Sequence, residues 1–96
     1  MVLSLRISGT SPRVIFHEEA STDSSVIEIR CTTKIGILHR IAKALAEVGL
    51  DIRHATVQTI GLEVVDTFYV RNWSGQRIDD PQHRAEIERA VLDAVN

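Results

Sequence analysis

Apolar and polar residues alternate over residues 26–32: Val26 and Ile27 lead in, and Ile29 and Cys31 are set off by Glu28, Arg30 and Thr32. A period of two predicts a strand with one buried face. A shorter apolar run, Val14, Ile15 and Phe16, ends at His17, Glu18 and Glu19 before the polar stretch 20–25, which reads as strand then loop. From Ile37 the period lengthens. Ile37, Leu38, Ile41, Ala42, Leu45 and Val48 recur at helical spacing with His39, Arg40, Lys43 and Glu47 on the other face, and Gly49 stands where a helix-ending glycine belongs. Residues 51–60 and 64–71, rich in Val, Ile, Thr, Phe and Tyr, predict two strands joined as a hairpin through Gly61, Leu62 and Glu63. Asn72, Ser74 and Gly75 mark a loop. Asp80 before Pro81 predicts an N-cap and first residue of a last helix, whose buried stripe is Ile87, Val91, Ala94 and Val95 with Arg84 at its head.

The predicted order is strand, strand, helix, strand, strand, helix. A ferredoxin-like βαββαβ unit would end in a strand after its second helix, and the chain stops at Asn96 before one can form. The strand at 14–17 can take that edge, antiparallel beside the strand at 26–32. The expected fold is therefore α+β: a ferredoxin-like two-layer sandwich, a four-stranded antiparallel sheet with two helices on one face and the edge strand supplied from the N-terminus. Residues 1–13 read as a lead-in or linker and 14–96 as the domain.

A chain of 96 residues allows one such core and excludes a large multidomain catalyst. Eleven Lys and Arg against thirteen Asp and Glu leave a formal charge of -2, and no basic run offers counterion release, so neither nucleic acid nor an acidic membrane surface is expected as a partner. The apolar stretches are too short for a membrane span or a signal peptide. Cys31 is the single cysteine, so an internal disulfide and a thiolate zinc site are ruled out, in keeping with a reducing, cytoplasmic setting.

Candidate chemistry is sparse. His17, His39, His54 and His83 share no metal-ligand spacing, and no nucleophile motif or glycine-rich phosphate loop occurs, so no catalytic residue, metal or cofactor is expected. Thr32-Thr33-Lys34-Ile35-Gly36 lacks the arginine and glycines of an acylphosphatase loop. Phe68 and Tyr69 are neighbours on opposite faces of one strand, which denies an RNA-recognition platform. Asp51, Asp66, Asp79 and Asp80 have loop, strand and capping roles available. What remains is the strand-to-helix turn. Lys34 and Gly36 precede a helix N-terminus whose free N–H groups and positive dipole suit a small carboxylate.

Taken together, Val26-Ile27-Glu28, Gly36-Ile37-Leu38, Ile41, Ala44-Leu45, Gly49-Leu50-Asp51-Ile52, Ala55, Thr59, Gly61 and Val65-Asp66 with Phe68-Tyr69-Val70 resemble an ACT domain. More narrowly they resemble the C-terminal ACT repeat of the PII uridylyltransferase/uridylyl-removing enzymes, and Pro12-Arg13-Val14 with Glu19-Ala20-Ser21 resembles the segment before that repeat. The resemblance implies a regulatory module that senses an amino acid, glutamine in those enzymes, at the loop between the first core strand and first helix. It also implies pairing, as a homodimer or with another ACT domain. The chain would then be a piece of a larger enzyme whose catalytic domains lie elsewhere; the rival readings are a ligand-free dimerisation module and a regulatory subunit of an amino-acid biosynthetic enzyme. The implied effector contacts are Thr33, Lys34, Gly36, Ile37 and Leu38, with Asp51 and Ile52 from the other subunit. Where the family usually has Asp-Arg-Pro-Gly, this chain has Thr33-Lys34-Ile35-Gly36. The positive charge and the glycine stay, so carboxylate capture is better preserved than ammonium capture.

Overall fold

The computed structural model describes residues 11–18 and 23–96. Residues 1–10 of the expected lead-in, and Glu19-Ala20-Ser21, lie outside the described residues.

The elements are β1 (Arg13–His17), β2 (Ser25–Thr32), α1 (Ile37–Glu47), β3 (Leu50–Ile60), β4 (Glu63–Asn72) and α2 (Pro81–Val95). They form one antiparallel sheet in the order β1-β2-β4-β3. β1 occupies the predicted edge beside β2, with Val14 opposite Ile29 and Phe16 opposite Ile27. It begins at Arg13, one residue earlier than expected.

One row of each strand meets the helices. Ile27, Ile29 and Cys31 of β2 and Phe68 and Val70 of β4 pack beneath Ile37, Ile41 and Leu45 of α1 and Ile87, Val91 and Val95 of α2. The opposite face is polar, with Glu28 bonded to His17 and Arg30 and the His54 and Tyr69 rings in contact. Phe68 is buried and Tyr69 faces away from the helices, as their adjacency predicts.

Helix ends follow the local chemistry. Asp80 accepts a hydrogen bond from the Gln82 amide at 3.0 Å with Pro81 behind it. Gly49 takes a φ of +85° just after α1. Arg84 is half-buried over the Phe16 ring and bonded to Glu18, fastening α2 to β1. The β3–β4 turn is tighter than expected, two residues rather than about three, because Ile60 pairs directly with Glu63 across Gly61 and Leu62.

The sequence pattern does not reveal a bulge at Arg53. The register passes from Ile52 opposite Val70 to His54 opposite Tyr69, so Arg53 is the extra residue and parity inverts there. Leu50 and Ile52 face the helices before it; Ala55, Val57 and Thr59 do so after it. The helices do not reach that far, and every residue from Arg53 to Ile60 is exposed. Among the described residues no helix is long and apolar enough to cross a membrane.

Candidate functional site

The turn from β2 into α1 is anchored at its start and free at its tip. The Thr33 N–H donates to the Leu62 carbonyl at 2.8 Å, tying the turn to the β3–β4 loop. Ile35 is 99% exposed, and Thr33, Lys34 and Gly36 are exposed with it. Gly36 has φ +76°, a conformation strained for any side chain, although a Cβ there would meet nothing within 4 Å. Glycine is therefore required by the backbone and leaves an open approach.

Because Gly36 is the N-cap, no side chain satisfies the first amides of α1, and its first turn holds no acidic residue. Ile37 N–H donates to the Lys34 carbonyl at 3.2 Å and Arg40 N–H to Gly36 at 3.1 Å. The Leu38 and His39 amides have no acceptor among the described residues. The positive helix end is thus uncompensated and open to an anion. Ile37 contributes its side chain to the core, and Leu38 is 42% exposed beside the free amides.

Lys34 already has a partner. Its ammonium donates to the Val95 carbonyl at 2.8 Å, at the C-terminal end of α2, where a cation also meets the negative end of the helix dipole. Thr33, Lys34, Gly36, Ile37 and Leu38 are therefore together. Asp51 and Ile52 are not. They begin β3 beyond the far end of the 11-residue α1, about 16 Å along its axis. There Asp51 pairs with Arg53 at 3.0 Å and Ile52 packs on the core. Within one copy they lie a helix length from this loop.

One residue of the ACT-like motif, Asp66, was not among the candidate site residues. Asp66 is fully buried, and neither carboxylate oxygen has a hydrogen-bond partner among the described residues. Removal from water pushes its carboxyl up to about 6. Its period-two place among Val64, Phe68 and Val70 was the available signal, since those residues mark the inward row of β4. Nearby, burial pushes the Cys31 thiol up first, Asp66 adds to the effect, and Lys34 opposes it. Cys31 is thus an unreactive core side chain.

Two open grooves of the surface lie away from the turn. One of about 550 Å³ runs between the helices, lined by Arg40, Lys43, Ala44, Ala90, Asp93 and Ala94 among others, with no residue of the turn. It is shallow and of mixed charge. Among the described residues no three His, Cys, Asp or Glu side chains converge as metal ligands.

A four-stranded antiparallel sheet covered on one face by two helices, with a glycine turn opening the first, defines an ACT-type regulatory module. The ACT domain family model matches residues 25–73, and the chain belongs to that family. Its curated relatives are more particular. The chain is 35% identical over 88 residues to the bifunctional uridylyltransferase/uridylyl-removing enzyme of Gluconobacter oxydans, covering 92% of this chain and 9% of that one. It is 38% identical over 84 residues to the enzyme of the same name from Rhodospirillum rubrum, covering 88% and 9%. The chain is thus homologous to the ACT region of such enzymes and spans about a tenth of their length. A crystal structure of an unknown protein from Galdieria sulphuraria shares the fold alone, with TM-score 0.57 and 18% identity over 73% of this chain and 39% of that one.

Proposed function

We propose that this ACT domain senses a free amino acid, glutamine first among them, and passes the signal on within a uridylyltransferase/uridylyl-removing enzyme. The observation that carries this reading is the N-terminus of α1, where the exposed Leu38 and His39 amides follow a glycine in the left-handed region. The effector's carboxylate would sit on those amides, Lys34 would supply positive charge beside it, and Thr33 would border the ligand. Asp51 and Ile52 would come from a second ACT domain, in a homodimer or within one longer chain. Titration calorimetry of the 96-residue chain with glutamine and a panel of other amino acids tests the proposal. Heat with glutamine, lost in Gly36→Val, supports it; no heat and no thermal shift at millimolar ligand leaves a structural role.

The exposed stretch of β3 favours a second reading, a pairing module without a ligand. An edge strand open on both faces from Arg53 to Ile60 can dock a second copy by itself. In that case Gly36→Val would leave self-association unchanged.

A further inference from the structure

The charged side chains divide by surface. Arg30, Arg53, Arg71 and Arg84 lie outside the grooves between the helices, and each forms an ion pair. Arg40, Lys43, Glu47, Glu86, Arg89 and Asp93 line those grooves, and all six are exposed. Among the described residues none of the six has an ion pair or a side-chain hydrogen bond. The two grooves share Glu47, Val48, Ala90 and Asp93 and so form one continuous surface. Opposite charges that share a surface and stay apart from one another are available to a partner.

The order of these charges along α1 is particular. Arg40 closes its first turn, which holds no acidic residue, and Glu47 is its last residue, in a turn with no basic one. Each end of α1 thus carries the charge that its own dipole disfavours. A second α1 laid antiparallel corrects both ends at once, because it brings an anion to the basic end and a cation to the acidic end. Arg40 and Glu47 lie about 5 Å to either side of a point between Lys43 and Ala44. A two-fold axis through that point sets Arg40 against Glu47 of the second copy and Lys43 against the small side chain of Ala44. Beyond the acidic end, Trp73 is 71% exposed, and a Cβ on Gly49 would meet its indole at 3.9 Å, so an aromatic surface of the kind enriched at interfaces borders the groove.

We propose that the helix face pairs with the same face of a second copy of this chain, the two α1 helices antiparallel and Arg40 of each copy meeting Glu47 of the other. The occupant is a second copy because the charge order of α1 is complementary to itself when reversed. This places the pairing on the helices and not on the open edge of β3. It stands apart from the effector reading, since amino-acid binding plays no part in it.

Sedimentation velocity of the 96-residue chain at hundreds of micromolar and low salt tests the proposal, and a dimer is expected. Arg40→Glu and Glu47→Arg each turn two attractive contacts of the dimer into repulsive ones, and each alone should weaken association at least roughly tenfold. An equal mixture of the two variants should dimerise again, because every reversed side chain then meets its opposite. Folding is not at risk in either, since both positions are exposed and each reversal gives the helix end a charge its dipole favours. A monomeric unaltered chain would overturn the proposal, as would a dimer unmoved by both reversals or weakening that the mixture does not repair. A dimer that survives both reversals and is lost in Val57→Lys with Ile60→Lys would assign the pairing to the β3 edge instead.

Discussion

At the scale of single residues, Asp66 is where sequence and structure part most sharply. Read along the chain it is one carboxylate among several; in the sheet it occupies an inward position between Val64 and Phe68. Its pKa of about 6 lies above the 3.8 of an unfolded aspartate, so the native state holds the extra proton. The stability this contributes is present below about pH 4 and is lost as pH rises through 6. Asp66→Asn removes that dependence. Urea unfolding of the two proteins should give similar stabilities near pH 4 and a gap favouring Asp66→Asn by about 2–3 kcal/mol at pH 8. Taking the difference between the proteins cancels the opposing slope from Glu28, whose carboxyl is held low first by its hydrogen bond to Arg30. Gly36 makes a contrasting case. Because a Cβ there meets open space, Gly36→Ala should cost only the left-handed strain, about 1 kcal/mol in chemical denaturation, and a loss several times larger would mean hidden crowding.

At the scale of elements, both helices and all four strands were legible, since each carries a clear period and its own punctuation. Asp80-Pro81 starts α2 and Gly49 ends α1 by local chemistry that needs no tertiary partner. Two features were not legible. The bulge at Arg53 inverts which residues of β3 face inward; Ile52 lies on one parity and Ala55 and Val57 on the other, but Ile60 returns to the first, so the residues 51–60 do not place the break. The bond from Lys34 to the Val95 carbonyl joins residues 61 positions apart, so no local pattern can hold it. It links the turn to the end of α2. In Lys34→Gln the amides of the last turn of α2 should exchange roughly tenfold faster, with the rest of the sheet unchanged; unaltered exchange there would show that the contact does not restrain the helix end.

At the scale of the molecule, the helices stop short of the distal part of the sheet, and the consequence is an edge strand open on both faces. Arg53 to Ile60 includes no lysine and no proline, two of the usual guards against edge pairing, and Val57 and Ile60 are 51% and 58% exposed. If this edge pairs with a second copy, sedimentation velocity should show a dimer that Val57→Lys with Ile60→Lys converts to monomer. Thermal unfolding of that monomer should differ by no more than about 0.5 kcal/mol for each exposed position. A monomer in the unaltered chain at hundreds of micromolar would exclude the edge as a pairing surface. Of the candidate site, the turn and the head of α1 were readable from Lys34, Gly36 and the change of period, because a helix N-terminus is made by neighbours in sequence. The same local rules determined the element order, the strand that fills the vacant edge and the family resemblance. Tertiary structure alone decided that Asp66 lies dry beside an open face, that Lys34 is held by α2, and that Asp51 and Ile52 stand a helix length from the turn. Each of those depends on which distant segments cover one another, and burial and pairing between distant segments leave no period in the sequence.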